Sequence, residues 1–72
     1  MSDSRDVEKT YPIHEFVAKL RRLADCLENG EQFEIQIAGE RIYVPVRAHY
    51  NIEHERENGT HEIEFQIKWE SK

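Results

Sequence analysis

The chain has 72 residues, of which 15 are acidic and 10 are basic, so its formal net charge is −5. This length suits one small domain, and the acidic balance argues against a nucleic-acid partner, because protein affinity for nucleic acid comes mainly from Lys and Arg contacts to phosphates. No apolar run approaches the roughly 20 residues that span a bilayer, and the sole cysteine, Cys26, is typical of a reducing compartment, so we expect a cytoplasmic protein without a membrane segment.

The N-terminal segment is polar and carries few structural signals. We expect residues 1–5 to be disordered and residues 6–70 to form a single domain. Residues 6–11 alternate Val7 and Tyr11 with polar side chains, which is compatible with an edge strand on which an inward Lys9 guards against aggregation. The sequence leaves open whether this strand joins the sheet.

Residues 12–28 predict one amphipathic helix. Pro12 is well tolerated at a first helical position, and Gly30 supplies the left-handed residue that commonly ends a helix. The apolar residues recur at helical spacing and form one stripe, which consists of Ile13, Phe16, Val17, Leu20, Leu23, Ala24 and Leu27.

Residues 33–37 and 42–46 predict a first β-hairpin. Gly39-Glu40 suits a type II′ turn, which takes glycine at its first central position. This turn pairs Ile37 with Ile42, Ile35 with Val44 and Phe33 with Val46, so that all six side chains share one face. Pro45 lacks an N–H, so we expect it near the end of its strand.

Residues 50–69 predict a second hairpin with a turn at Asn58-Gly59. Asn-Gly between alternating apolar runs favours a type I′ turn, because both central residues of that turn need positive φ. The predicted pairs are Glu57 with Thr60, His54 with Ile63, Ile52 with Phe65 and Tyr50 with Ile67. One face is then apolar, and the other carries Glu53, Glu55, Glu62 and Glu64.

These elements predict an α+β fold with the order (β)-α-β-β-β-β. Each element has one apolar side, and two packed layers are the simplest way to bury all of them. We therefore expect the helix to pack on one face of a four- to five-stranded antiparallel sheet.

Two stretches resemble a known family. Residues 20–31 (LRRLADCLENGE) and residues 62–69 (EIEFQIKW) resemble the helix cap and the closing tryptophan-bearing strand of the amphi-Trp domain family. The resemblance covers about residues 6–70, and it departs from the family pattern at Pro12 and Cys26. It implies a fold, but no catalytic residue, substrate or cofactor.

The four glutamates are the first candidate site. Glu53 faces Glu64 and Glu55 faces Glu62, and like charges across a strand pair are destabilising. The face is interpreted either as a solvated surface relieved by Lys68, Arg41 or Arg47, or as a binding surface for a basic protein. A divalent-cation site is the least favoured alternative, because flat carboxylate rows lack the enclosing loop of calcium sites.

Trp69 is the second candidate, either as an aromatic anchor for a partner or as a lid over the helix–sheet junction. His54 and His61 share a face near the hairpin tip, but their spacing matches no metal motif. Cys26 flanks the apolar stripe without a neighbouring histidine in sequence, which favours a packed thiol over a nucleophile.

We therefore expect a small non-catalytic interaction module, without metal or cofactor, that contacts a protein partner through the acidic sheet face or a strand edge. The candidate contact residues are Glu53, Glu55, Glu62, Glu64 and Trp69. The alternative is a homo-oligomeric structural subunit, because a domain of this size buries a small core and must protect its sheet edges. An enzyme ranks last.

Overall fold

The structure is a computed structural model that describes residues 4–71. Its elements are α1 (Ile13–Glu28), β1 (Glu34–Ile37), β2 (Glu40–Tyr43), β3 (His49–Glu57) and β4 (Thr60–Lys68). The strands form two separate two-stranded antiparallel sheets, β1–β2 and β3–β4. The α-β-β-β-β order agrees with the sequence, but the predicted single sheet of four to five strands is wrong.

The break between the sheets lies at Pro45. Val44 still donates its N–H to the Phe33 carbonyl at 2.9 Å, but Pro45 has no N–H with which to continue the ladder. The chain then turns, with the Ala48 N–H donating to the Pro45 carbonyl at 3.1 Å, before β3 begins at His49. β2 and β3 therefore never pair, and each hairpin keeps its own open edges within residues 4–71.

The N-terminal segment contributes no fifth strand. Residues 4–12 carry no strand, and the Lys9 and Lys19 ammonium groups lie 6.0 Å and 4.6 Å from the centre of the Tyr11 ring. The segment is held at its start by Arg5, whose Nη2 donates to the Ile37 carbonyl at 2.7 Å. Of the predicted disordered range, residues 1–3 lie outside the described residues.

Helix α1 begins one residue later than predicted and ends as predicted. Pro12 is the N-cap, and its carbonyl accepts the N–H groups of Glu15 at 3.1 Å and Phe16 at 3.0 Å. At the other end Gly30 has φ 68°, and the Glu31 N–H donates to the Cys26 carbonyl at 2.8 Å. This is a Schellman motif, which satisfies carbonyls that the last helical turn leaves unpaired.

The first hairpin has a different turn from the one predicted. Its central residues are Ala38 (φ 47°) and Gly39 (φ 86°), so the turn is of the I′ class rather than type II′ at Gly39-Glu40. Ile37 therefore pairs with Glu40 and Ile35 with Ile42. The predicted register was wrong by two residues, which leaves Ile35, Ile37 and Ile42 on one face, because the side-chain period of a strand is two. The predicted pairing of Phe33 with Val46 was also wrong, since β2 ends at Tyr43 and Val46 is 99% exposed.

The second hairpin has the predicted register and turn. Ile52 pairs with Phe65, Tyr50 with Ile67 and Glu57 with Thr60. Asn58 (φ 52°) and Gly59 (φ 80°) form the expected type I′ turn. The strands are nine residues each, against four in the first hairpin, so β3–β4 is the longest sheet of the described chain.

The buried core is small. Within the described residues, Phe33 (5% exposed) and Val44 (6% exposed) are the buried hydrophobic side chains, and the Arg22 guanidinium lies 4.6 Å from the Phe33 ring centre. The helix and both hairpins border an open apolar cleft of about 450 Å³ rather than a closed interior. The cleft is lined by Lys9, Tyr11, Phe16, Lys19, Leu20, Leu23, Phe33, Ile35, Ile37, Ile42, Val44, Phe65, Ile67 and Trp69.

Candidate functional site

The acidic face of β3–β4 has the predicted arrangement. Glu53 lies directly opposite Glu64, and Glu55 lies directly opposite Glu62. Toward the base of the hairpin, the same face continues with amides: Asn51 Nδ2 donates to Gln66 Oε1, and Gln66 Nε2 donates to Glu64 Oε2, both at 2.9 Å. Gln66 thus donates a hydrogen bond to one of the four glutamates.

Crowding of these carboxylates changes the ionisation of Glu64. Its hydrogen bond with Glu53 raises the pKa of Glu64 above the ordinary value of 4.5, and desolvation and the charges of Glu53, Glu62 and Glu55 act in the same direction. Glu64 therefore takes up a proton at a higher pH than an ordinary glutamate does.

The expected relief by basic side chains is not found. Arg41 Nη1 lies 2.6 Å from Glu34 Oε1 on the first hairpin, and Arg47 Nη2 donates to the Glu70 carbonyl. Lys68 stands across the ladder from His49, at the opposite end from the turn. Within residues 4–71, no Lys or Arg forms an ion pair with the four glutamates.

The histidines lie together, as predicted, but without further ligands. The rings of His54 and His61 stack with centres 6.0 Å apart and planes 8° apart. Among the described residues, no group of three or more His, Cys, Asp or Glu side chains is arranged to hold a metal ion. Cys26 is a free, half-buried thiol on α1.

Trp69 lies between two open surfaces. On one side it lines the apolar cleft, which it shares with Leu20 and Leu23 of α1. It also lines a wide depression of about 730 Å³ with Arg47, His49, Ile67, Lys68 and Glu70. The indole is half-buried, so the lid and the anchor interpretations remain compatible.

The exposure of many large apolar side chains was not predicted from the sequence. Several large apolar side chains are more than half exposed around and beyond the cleft: Ile13 (78%), Phe16 (52%), Ile52 (67%), Ile63 (69%) and Phe65 (65%). The sequence identifies the apolar stripe of α1 and the apolar face of β3–β4, but it predicted that both would be buried inside the chain. The length of the chain indicates this exposure, because so short a chain has little interior in which to bury both apolar surfaces.

Compared with known proteins, the chain matches no protein-family model, and no curated protein or solved structure is significantly similar to it. Among the described residues, no helix has the length and apolar character needed to cross a bilayer.

Proposed function

We propose that this chain is a small non-catalytic interaction module that binds a protein partner through its exposed apolar surface. The contact surface consists of the mouth of the apolar cleft and the apolar side chains beyond it, with Trp69 at its base. This surface replaces the acidic face as the first candidate, because water-exposed apolar area favours association whereas a row of like charges is readily solvated.

The accessible surface area carries this proposal. The chain exposes 6657 Å² at a mass of 8.6 kDa, whereas a compact folded monomer of this mass is expected to expose about 4,700 Å². Its radius of gyration is 14.0 Å, against about 11 Å for a compact domain of this length. Part of the exposed area belongs to large apolar side chains that are more than half exposed, among them Ile13, Ile52 and Ile63, which favours a chain that completes its core on a partner.

Other features agree with this assignment. The half-buried free thiol of Cys26 is compatible with a cytoplasmic location. We retain the resemblance to the amphi-Trp domain family as part of the proposal, with no activity attached to it, and we propose neither metal nor cofactor.

Native mass spectrometry of the tagged chain, isolated from the cells that produce it, tests the proposal. We expect the wild-type chain and the Glu62→Ser variant to carry a bound protein, and the Ile63→Ser variant to lose it. Residues 62 and 63 are adjacent on β4 and face opposite sides, so Glu62→Ser is the matched control. A chain that travels alone in all three samples contradicts the proposal.

The acidic face is a second candidate surface, for a basic protein. Its support is the raised pKa of Glu64 and the lack of an ion pair to its four glutamates within residues 4–71. Replacing Glu53 and Glu64 by Lys should abolish binding of a fluorescent oligolysine peptide. Replacing the exposed Glu8 and Glu28 by Lys makes the same change in net charge and should preserve binding; equal losses in both variants contradict a specific site.

A further inference from the structure

We infer that the partner is a second copy of this chain, and that the β3–β4 hairpin of each copy lies on helix α1 of the other. The inference rests on the proposed interaction function and names its partner. It requires two uncovered apolar surfaces on one chain, an area sufficient for a stable dimer, and no carboxylate buried between the copies.

The first surface is the apolar face of the β3–β4 hairpin. Ile67 and Trp69 at its base line the apolar cleft, and Phe65 stands at the mouth with 65% of its surface exposed. Ile52 lies directly opposite Phe65, and Ile63 lies two residues closer to the turn, opposite His54. Both isoleucines lie outside the cleft and are 67% and 69% exposed. The hairpin thus continues its apolar face beyond the part that its own chain covers.

The second surface is the N-terminal half of the stripe on α1. Leu20 and Leu23 line the cleft, and Phe16 stands at its mouth with 52% of its surface exposed. One turn earlier, Ile13 is 78% exposed, and Val17 is 37% exposed. The apolar faces of the helix and the hairpin therefore both extend beyond the cleft, where no other part of the described chain covers them.

The exposed area beyond that of a compact monomer is large enough to form a dimer interface. The chain exposes 6657 Å², which is about 2,000 Å² more than a compact monomer of its mass. A standard interface buries about 800 Å² per partner, and obligate homodimers bury more, with interfaces that resemble a domain core cut in half. Two copies can therefore provide each other with the missing half of a core.

A two-fold dimer covers both apolar surfaces of each copy at once. In a two-fold dimer, a contact between the hairpin of the first copy and the helix of the second is repeated in reverse. The four glutamates lie on the opposite face of the hairpin, so this contact buries none of them. A second copy thus needs no surface beyond those that this chain already exposes.

Cross-linking between two tagged forms of the chain tests the geometry. Both forms carry Cys26→Ala; one also carries Ile13→Cys, and the other Ile63→Cys. A short bifunctional maleimide should join the two forms into a mixed dimer when they are combined in equal amounts, while each form alone gives little dimer. Circular dichroism of each form checks that it keeps its helix and strands.

The double variant with both cysteines on one chain distinguishes exchange between copies from closure within a chain. Exchange gives a covalent dimer on a denaturing gel, whereas a cross-linked monomer shows that the chain closes on itself and overturns the inference. Cross-linked dimers from the Ile63→Cys form alone would show hairpin packed on hairpin, which also contradicts the inferred contact.

Substitution of one contact residue gives the expected change in affinity. Ile63→Ser should weaken the dimer by at least about 100-fold, because a two-fold interface loses two copies of the buried side chain. Glu57→Ser, at an exposed residue of the same hairpin outside both candidate surfaces, should leave the dissociation constant within about threefold. A monomeric wild type that carries a different protein overturns this inference and leaves the proposed function standing, whereas a wild type that travels alone contradicts both.

Discussion

Glu64 lies directly opposite Glu53 across the β3–β4 ladder, and a hydrogen bond between their carboxyl groups raises the pKa of Glu64. Two carboxyl groups thus face each other in the longest sheet of the described chain, without a neighbouring Lys or Arg in ion-pair contact within residues 4–71. The pair stands on the outer face of the hairpin, where water rather than a basic side chain screens it.

Glu64→Gln should therefore stabilise the fold in a pH-dependent way. The folded pKa of Glu64 is raised above its ordinary value of 4.5, so the folded chain is favoured below that value and loses this stability as the pH rises through the folded pKa. We expect the variant to melt at a higher temperature than wild type at about pH 7, and the difference to vanish near pH 3.5.

The control for this prediction is Glu57→Gln. Glu57 lies on the same face but opposite Thr60, so its replacement removes a charge without removing a facing pair of carboxylates. Equal stabilisation by the two substitutions would show a general effect of net charge, and would contradict a specific repulsion between Glu53 and Glu64.

Substitutions in the two hairpin turns should change the free energy of unfolding in opposite directions. Ala38 has φ 47°, a left-handed conformation that is unfavourable for alanine, whereas Asn58 has φ 52°, where asparagine is well tolerated. Ala38→Asn should raise the free energy of unfolding by about 0.5–1 kcal/mol, and Asn58→Ala should lower it by a similar amount. Urea denaturation measures both, and a loss of stability in Ala38→Asn contradicts the observed turn.

Arg5 should hold the N-terminal segment against the first turn. Its Nη2 donates to the Ile37 carbonyl at 2.7 Å and to the Ala38 carbonyl at 3.3 Å, and its Nη1 lies 3.2 Å from Glu40 Oε1. Arg5→Ala should lower the backbone NMR order parameters of residues 5–11 while lowering global stability by no more than about 1 kcal/mol.

Glu40→Gln is the matched control for Arg5→Ala, because it removes the ion pair and leaves both carbonyl hydrogen bonds in place. We expect it to leave the order parameters of residues 5–11 close to those of wild type. Unchanged order parameters in Arg5→Ala itself would show that the guanidinium does not hold this segment.

The sequence predicted the local structure of the hairpins better than the way in which the elements pack together. The register of β3–β4 was predictable because Asn58-Gly59 suits only one common two-residue turn. In the first hairpin, Gly39 fits either the first position of a type II′ turn or the second position of a type I′ turn. The apolar pattern could not decide between them, because both registers place Ile35, Ile37 and Ile42 on one face.

The predicted single sheet was wrong because Pro45 has no N–H with which to continue the first ladder, so β2 does not pair with β3. Amphipathic spacing places Phe16 and Phe65 on the apolar faces of their helix and strand. It does not show whether such a face packs within the chain or against another chain. The four glutamates were placed correctly because their arrangement follows from the hairpin register alone. Relief by Arg41 was wrong because that side chain pairs with Glu34 in its own hairpin.

The most direct test of the proposed association is the molar mass of the purified chain, measured by light scattering from low to high micromolar concentration. Mutual covering of helix and hairpin predicts a mass of about twice 8.6 kDa at the higher concentrations, and the single-chain mass for Ile63→Ser under the same conditions. A wild-type mass of 8.6 kDa across the whole range would contradict it.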